Sequence, residues 1–80
     1  MNLNTVVAIN IRYIRILNSI TQEELANAMN INQSHISAIE NGNKIISLKR
    51  IEEIAKILKV EPYVLLKEDL QKNIKEVILK

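Results

Sequence analysis

The sequence contains no cysteine, phenylalanine or tryptophan, and only one glycine and one proline in 80 residues. Without cysteine it can form neither a disulfide scaffold nor a zinc site with thiolate ligands. One histidine, His35, cannot form a histidine metal site by itself, and we expect no cofactor. Since aromatic residues are scarce, the core must be aliphatic, built largely from the fifteen isoleucines.

The charge balance is weakly basic, with a formal net charge of +2 and a pI near 9.0. This bias is compatible with nucleic-acid binding but does not require it. No apolar run approaches the roughly 18 residues of a membrane span, and no signal-peptide pattern is present. We therefore expect a single globular domain in the cytoplasm with no membrane partner.

The isoleucines recur every three or four residues, a spacing that predicts an all-α fold. Thr21-Gln22-Glu23-Glu24 has the pattern of a capping box. Asn32, Ser47 and Glu61-Pro62 are the next predicted helix starts, each flanked by apolar residues spaced as a hydrophobic staple. The predicted helices are Thr5–Leu17, Gln22–Ala28, Gln33–Glu40, Leu48–Leu58 and Pro62–Leu66, with Asp69–Leu79 as a sixth helix or an extension of the fifth.

Asparagine and glycine mark the predicted helix ends. Asn18-Ser19 ends the first helix, Asn30 supplies a left-handed residue after the second, and Asn41-Gly42 ends the third. The apolar stripes leave Ile16, Leu17 and Ile57 without a clear place in the core. The predicted core is Val7, Ile11, Ile14, Leu25, Ala26, Met29, Ile36, Ile39, Ile51, Ile54, Ala55, Leu58, Val64 and Leu65.

The second and third helices, joined by a turn of about four residues, predict a helix-turn-helix corner over Gln22–Glu40. Ala26 is small and lies where the two helices must approach closely. Proteins that never bind DNA also contain such two-helix corners, so the pattern alone leaves both interpretations open.

Three segments together resemble the phage-repressor and Cro-type (XRE) DNA-binding domain: Ile11-Arg12 through Arg15, Thr21–Ala26, and Asn32–Gly42. The resemblance covers about residues 9–66 and implies a compact five-helix, λ-repressor-like bundle. It also implies operator binding, usually as a dimer, with the third helix in the major groove. Residues 1–66 would form the DNA-binding domain and 67–80 a helical extension. The chain departs from the family at Ser19, where glycine is common, and has Asn30 in the turn.

The third helix carries the candidate base contacts on the side opposite its apolar stripe. A recognition helix presents its N-terminal residues to base edges, and a glutamine amide can pair bidentately with adenine. Support of the helix start remains an alternative role for Gln33 and Ser34, and plain exposed surface remains one for His35. The candidate base contacts are Gln33, Ser34, His35, Ser37 and Ala38.

Candidate phosphate contacts lie at the start of the second helix and after the third. Gln22 is at a helix N-terminus, which favours an anion, while Asn41, Asn43 and Lys44 follow the third helix. Lys44 could equally be a solvated loop charge. The resemblance pairs Arg15 with Glu40 as an ion pair between helices, which assigns both to structure and not to DNA.

The C-terminal segment has an apolar stripe crossed by lysines, and an eleven-residue helix is marginal alone. It must dock either on its own domain, as a lid over the core, or on a second copy. The candidate dimerisation residues are Ile57, Val64, Leu66, Leu70, Ile74, Val77 and Ile78.

The sequence favours a homodimeric transcription regulator that binds a two-fold operator in double-stranded DNA. Its size resembles that of restriction–modification controller proteins, Cro-like repressors and free-standing antitoxins, and the short helix after the domain favours the controller type. A module that binds proteins on the same fold, including an antitoxin-type partner, is the alternative. We expect no enzyme activity and no small-molecule ligand, because no nucleophile–base pair or phosphate loop is evident.

Overall fold

The computed structural model describes residues 2–68 and Leu70. It confirms the all-α prediction, with five helices and no strand in that part of the chain. The predicted sixth helix over Asp69–Leu79 lies outside the described residues, apart from Leu70. The helices are α1 (Leu3–Leu17), α2 (Gln22–Met29), α3 (Gln33–Glu40), α4 (Leu48–Leu58) and α5 (Pro62–Leu65).

Side-chain caps explain the predicted starts of α2 and α4. A cap also explains the start of α1, the helix boundary that differs most from the prediction. The Thr21 hydroxyl accepts from the Glu24 amide at 3.0 Å, and the Glu24 carboxylate accepts from the Thr21 amide at 2.9 Å. The Ser47 hydroxyl caps α4 by accepting from the Arg50 amide at 3.1 Å. Helix α1 begins two residues before the prediction because Asn2 accepts from the Thr5 amide at 2.9 Å.

The remaining two predicted caps have the right positions but lack the expected hydrogen bonds. Asn32 and Glu61 occupy the N-cap positions of α3 and α5, but neither side chain makes a capping hydrogen bond. Helix α5 gains its start from Pro62 instead, whose ring holds φ near the helical value.

Residues in the left-handed conformation end three of the helices. Ser19 has φ 57°, Asn30 has φ 57° and Lys59 has φ 61°. Asn30 confirms its predicted role, since asparagine tolerates this conformation better than most residues. At Ser19 the chain reaches with serine the backbone geometry for which the family commonly uses glycine, so the departure leaves the end of α1 intact.

The core confirms the predicted apolar set in full. Ile11, Ile14 and Ile36 are completely buried, and the stripes of all five helices converge on them. Of the three residues left unassigned by the stripes, Ile16 and Leu17 are exposed and Ile57 is half-buried. The core also takes in Leu70, which was assigned to dimerisation from the sequence.

A buried amide fastens the segment after α5 to α1. Asn10 is 3% exposed, and its Nδ2 donates to the carbonyl oxygens of Leu65 at 3.0 Å and Lys67 at 2.8 Å. The Leu65 carbonyl ends α5 and the Lys67 carbonyl lies just after it, where no intrahelical donors are left. One side chain thus satisfies two orphan acceptors and holds the chain against α1 as far as residue 67.

We expect Asn10→Ala to lower the free energy of unfolding by about 2–3 kcal/mol, because it removes the donor to two carbonyls at the edge of the core. Urea denaturation followed by circular dichroism measures the change. Asn27→Ala, at an exposed position on α2, is the control and should stay within about 0.5 kcal/mol of the parent. Equal effects of the two replacements would contradict the bridging role.

Candidate nucleic-acid interface

Helices α2 and α3 form the corner predicted from the sequence. Asn30 adopts the left-handed conformation (φ 57°, ψ 41°), and the Ile31 amide donates back to the Ala26 carbonyl at 3.0 Å. Ala26 is 1% exposed between the helices, where a larger side chain would separate them. This tight turn fixes the direction of α3 and hence the surface that it presents.

The outward face of α3 is polar and carries no lysine or arginine. Gln33 and Ser34 are exposed at the start of the helix, while His35, Ser37 and Ala38 are half-buried along it. Ile36 and Ile39 point into the core at 0% and 3% exposure. The five candidate base contacts therefore all lie outside the core on the accessible part of α3. His35 also lines a shallow polar depression with Asn27, Asn30, Ile31 and Asn32.

Arg15 and Glu40 form a buried, two-pronged ion pair between α1 and α3. The Arg15 Nε donates to Glu40 Oε2 at 2.6 Å, and Arg15 Nη2 donates to Oε1 at 3.0 Å. The Arg15 Nη1 donates to the Ile20 carbonyl at 2.8 Å, which ties down the end of α1. The Glu40 side chain is 1% exposed. Both groups thus hold α3 in place from behind and do not reach the surface that α3 presents.

Gln22, which the sequence assigns to a phosphate, also contacts this ion pair. Its Nε2 donates to Glu40 Oε1 at 3.0 Å, while its Oε1 lies 3.5 Å from Gln33 Nε2. The side chain is half-buried and spans the gap between the ion pair and the start of α3. Sequence reasoning selected Gln22 and Gln33 separately and missed this contact, since it depends on the angle between α2 and α3.

The loop after α3 is held by an asparagine that the sequence analysis overlooked. The Asn4 Nδ2 donates to the Lys44 carbonyl at 2.9 Å, and Asn4 Oδ1 accepts from the Ile46 amide at 3.0 Å. Gly42 takes φ 76° at the start of this loop, a conformation that glycine adopts without strain. Asn41, Asn43 and Lys44 are all exposed there. The three candidate phosphate contacts therefore extend from the end of α3 on a backbone anchored to α1.

The candidate dimerisation residues divide into three groups. Val64 and Leu70 are 8% and 1% exposed inside the core of their own chain, a position that does not suit direct contact with a second copy. Ile57 and Leu66 pack against the core but remain partly accessible. The other candidates, Ile74, Val77 and Ile78, lie outside the described residues.

Within residues 2–68 and Leu70, no cluster of histidine and acidic side chains is suited to hold a metal ion. In the same residues, no helix has the length and apolar character needed to cross a membrane.

Comparison with known proteins identifies the domain. A helix-turn-helix family model matches residues 11–65. A hypothetical transcription factor of Neisseria meningitidis serogroup B is 37% identical over 65 residues, and control protein C.BamHI of Bacillus amyloliquefaciens is 42% identical over 53 residues. The alignments cover 81% and 65% of this chain and span 61% and 65% of the two curated relatives.

Solved structures agree with this match. The crystal structure of the Neisseria transcription factor superposes with a TM-score of 0.82 at 35% identity, covering 94% of this chain and 85% of that one. The restriction–modification controller protein C.Esp1396I, bound to a 25 base pair operator site, superposes with a TM-score of 0.72 at 34% identity, covering 100% and 99%. The similarity therefore includes a protein seen on its operator.

Proposed function

This chain belongs to the XRE-type helix-turn-helix family of DNA-binding transcription regulators, and we propose that it binds a two-fold operator as a homodimer, with α3 in the major groove. The observation that carries the proposal is the outward face of α3, where accessible amide and hydroxyl groups begin at the helix N-terminus. Such groups read base edges through hydrogen bonds. The similarity to C.Esp1396I, solved on its operator, supports the same mode of action.

We divide the interface into base contacts and phosphate contacts. Gln33 and Ser34 are the most accessible groups on α3 and would meet base edges first, with His35, Ser37 and Ala38 behind them. A glutamine that accepts from adenine N6 and donates to N7 selects adenine. The exposed loop residues Asn41, Asn43 and Lys44, together with the α2 N-terminus at Gln22, would contact the backbone and set the register.

Dimerisation follows from the scarcity of positive charge at this surface. Since α3 has no lysine or arginine, each subunit neutralises few phosphates, and a monomer would bind weakly. Two subunits on half-sites about 34–36 Å apart would combine their contacts along one face of the duplex. The residues that we assign to the contact with the second copy are Ile57, Leu66, Ile74, Val77 and Ile78.

Among the family's roles, the proposal favours a controller-type regulator acting in the cytoplasm. The likeness to C.BamHI and C.Esp1396I supports this role, as does the match over nearly the full length of C.Esp1396I. Residues 1–66 would bind DNA and 67–80 would extend the domain. Regulation would come through concentration and dimerisation, without a cofactor or a small-molecule ligand.

Selection from random DNA tests the proposal directly. The purified 80-residue chain is mixed with duplexes randomised over about three helical turns, and bound molecules are sequenced after successive rounds. We expect an enriched two-fold sequence and, in sedimentation, a dimer on the enriched duplex. If no sequence is enriched over bulk DNA at low and at physiological salt, the proposal fails.

The alternative is a module that binds a protein partner, and the exposed aliphatic residues favour it. Ile45 is 93% exposed, Leu48 is 75% exposed and Ile16 is 53% exposed, although singly exposed apolar residues are common. Under this alternative, α3 binds no DNA, and replacing Ile45 with serine would abolish the complex with the protein partner. The DNA selection separates the two functions, because only a DNA reader enriches a sequence.

We expect Lys44→Ala to weaken binding to all duplexes by a similar factor, since phosphate contacts carry no sequence information. The slope of log Kd against log salt should fall by about 1 for each subunit. Fluorescence anisotropy at several salt concentrations measures both effects. Lys56→Ala, on α4, removes the same charge outside the corner and its following loop. A slope equally reduced by both changes would mean that Lys44 contributes only to net charge.

A further inference from the structure

The turn that ends α3 contains the dipeptide Asn41-Gly42, in which the one glycine of the sequence directly follows an asparagine. The amide carbon of an asparagine side chain is electrophilic, and the backbone nitrogen of the next residue can attack it to close a succinimide ring. A side chain on that next residue hinders the attack, so glycine permits it best. Asn41 therefore has the most reactive sequence context among the asparagines of this chain.

The side chain of Asn41 is exposed and loosely held. Its Nδ2 lies 3.5 Å from Ser37 Oγ, a distance at which a hydrogen bond is weak. By contrast, Asn10 is buried, and its Nδ2 donates to two carbonyl oxygens at 2.8 and 3.0 Å. Solvent thus reaches the amide of Asn41, whereas the packing of α1 against the end of α5 fixes that of Asn10.

The nitrogen that would attack Asn41 belongs to Gly42, just beyond the end of α3. Gly42 takes φ 76°, and a Cβ at this position would meet no atom within 4 Å, so the surroundings leave room for movement. The Gly42 amide donates to the Ile39 carbonyl at 3.1 Å, and this bond must open before the nitrogen can turn towards Asn41. Hydrogen bonds at helix ends open at low free energy. The fold therefore slows the attack without preventing it.

We propose that Asn41 is a site of spontaneous deamidation. The Gly42 amide loses its proton to hydroxide, and its nitrogen forms a bond to Cγ of Asn41. The C–N bond of the side-chain amide then breaks, and the leaving nitrogen takes a proton from water and departs as ammonia, which regenerates the hydroxide. Water hydrolyses the succinimide at either carbonyl and gives aspartate or isoaspartate. The net reaction exchanges water for ammonia, and nothing is oxidised or reduced.

Deamidation adds a negative charge to the loop after α3, which we assign to DNA phosphates; this consequence rests on the proposed function, whereas the reaction itself does not. Lys44 is the only charged residue of the segment 41–44, so the formal charge of that segment falls from +1 to zero. A carboxylate there repels phosphates and lies at the negative end of the α3 dipole. The protein would thus lose affinity for DNA as it ages.

Ageing of the purified 80-residue chain tests the chemistry without DNA. Samples are held for increasing times at several pH values, and peptide mass spectrometry follows the replacement of NH₂ by OH at each asparagine. We expect Asn41 to convert to completion while Asn43 stays largely intact, because Asn43 is exposed in the same loop but is followed by lysine. The rate should rise with pH, since the Gly42 nitrogen must lose its proton.

Two variants distinguish this route from general ageing. Gly42→Ala places a methyl group beside the attacking nitrogen and should slow conversion of Asn41. Alanine is strained at this positive φ, so thermal unfolding must establish that the variant is folded at the ageing temperature. Asn41→Gln leaves Gly42 in place but lengthens the side chain, which requires a larger and less favourable ring. We expect position 41 of that variant to stay unmodified.

DNA binding by the aged samples measures the consequence. On the duplex enriched by the fresh parent, the dissociation constant of the aged parent should rise at least about tenfold, because a phosphate contact is replaced by repulsion. Fresh Asn41→Asp should show the same loss, since it carries the product. Aged Asn41→Gln is compared with its own fresh sample and should bind no more weakly.

Three results would contradict the proposal in different ways. An Asn41 that converts no faster than Asn43, or equally fast in Gly42→Ala, overturns the modification site. Complete conversion with undiminished binding to the enriched duplex overturns its effect on DNA binding. Failure of the fresh parent to enrich any duplex overturns the proposed function and, with it, the effect on DNA binding. The mass measurement decides the chemistry in every case.

Discussion

Arg15→Ala is expected to destabilise the protein by about 3–5 kcal/mol, because it leaves the Glu40 carboxylate buried without its charged partner. A chain of this length has a total stability of about 4–12 kcal/mol, so the loss is a large fraction of the whole. The melting temperature should fall by roughly 4–8 °C for each kcal/mol lost. Differential scanning calorimetry and urea denaturation measure the two quantities.

The matched control is Arg12→Ala, which removes the same charge from an exposed position on the same helix and should change stability little. Replacing both partners with apolar residues, as in Arg15→Met with Glu40→Leu, should cost less than Arg15→Ala alone, since no charge is left buried. In Arg15→Ala, the free energy of DNA binding per folded molecule should fall by less than the free energy of unfolding does. An unchanged melting temperature with lost DNA binding would instead move Arg15 to the DNA surface.

Gln33→Ala is expected to give the largest loss of operator binding. A bidentate contact to adenine contributes about 1–3 kcal/mol of discrimination, and a dimer makes it twice. The dissociation constant for the operator should therefore rise by at least about 30-fold, and selectivity should disappear at one base pair in each half-site. Anisotropy titrations on the enriched duplex and its single-base variants measure this. Stability should be unaffected, because Gln33 is exposed.

Glu52→Ala, an exposed replacement on α4, is the control for Gln33→Ala and should bind like the parent. The pattern across sequences is as informative as the size of the loss. A base contact costs affinity at one position, whereas a backbone contact costs it uniformly. A uniform loss from Gln33→Ala would reassign this residue to the phosphates.

Local chemistry explains why the helices were predictable. The Thr21–Glu24 capping box, the left-handed Asn30 and the single proline act within a few residues of themselves, so their effects need no knowledge of the rest of the chain. Helices α3 and α4 accordingly begin and end where the sequence places them. Helix α1 starts earlier than predicted because Asn2 was not recognised as a cap.

The polar connections were not predictable in the same way, because each joins residues far apart in the chain. Asn10 binds the carbonyls of Leu65 and Lys67, and Asn4 holds the loop at Lys44 and Ile46. An asparagine in a helix carries no sign of a partner 40 or more positions away, since its side chain suits solvent equally well. The hydrogen bonds of these amides can be identified only when the positions of the packed helices are known.

The sequence by itself determined the helices, the aliphatic core and the family, because spacing, capping and motif are properties of neighbouring residues. Only the tertiary structure decided how the candidate site is connected. It placed Val64 and Leu70 inside their own core, and it brought Gln22 between Glu40 and Gln33. The physical reason is that hydrogen bonds between helices depend on the crossing angles of the helices and on how deeply each side chain is buried. The packing of the whole bundle sets both.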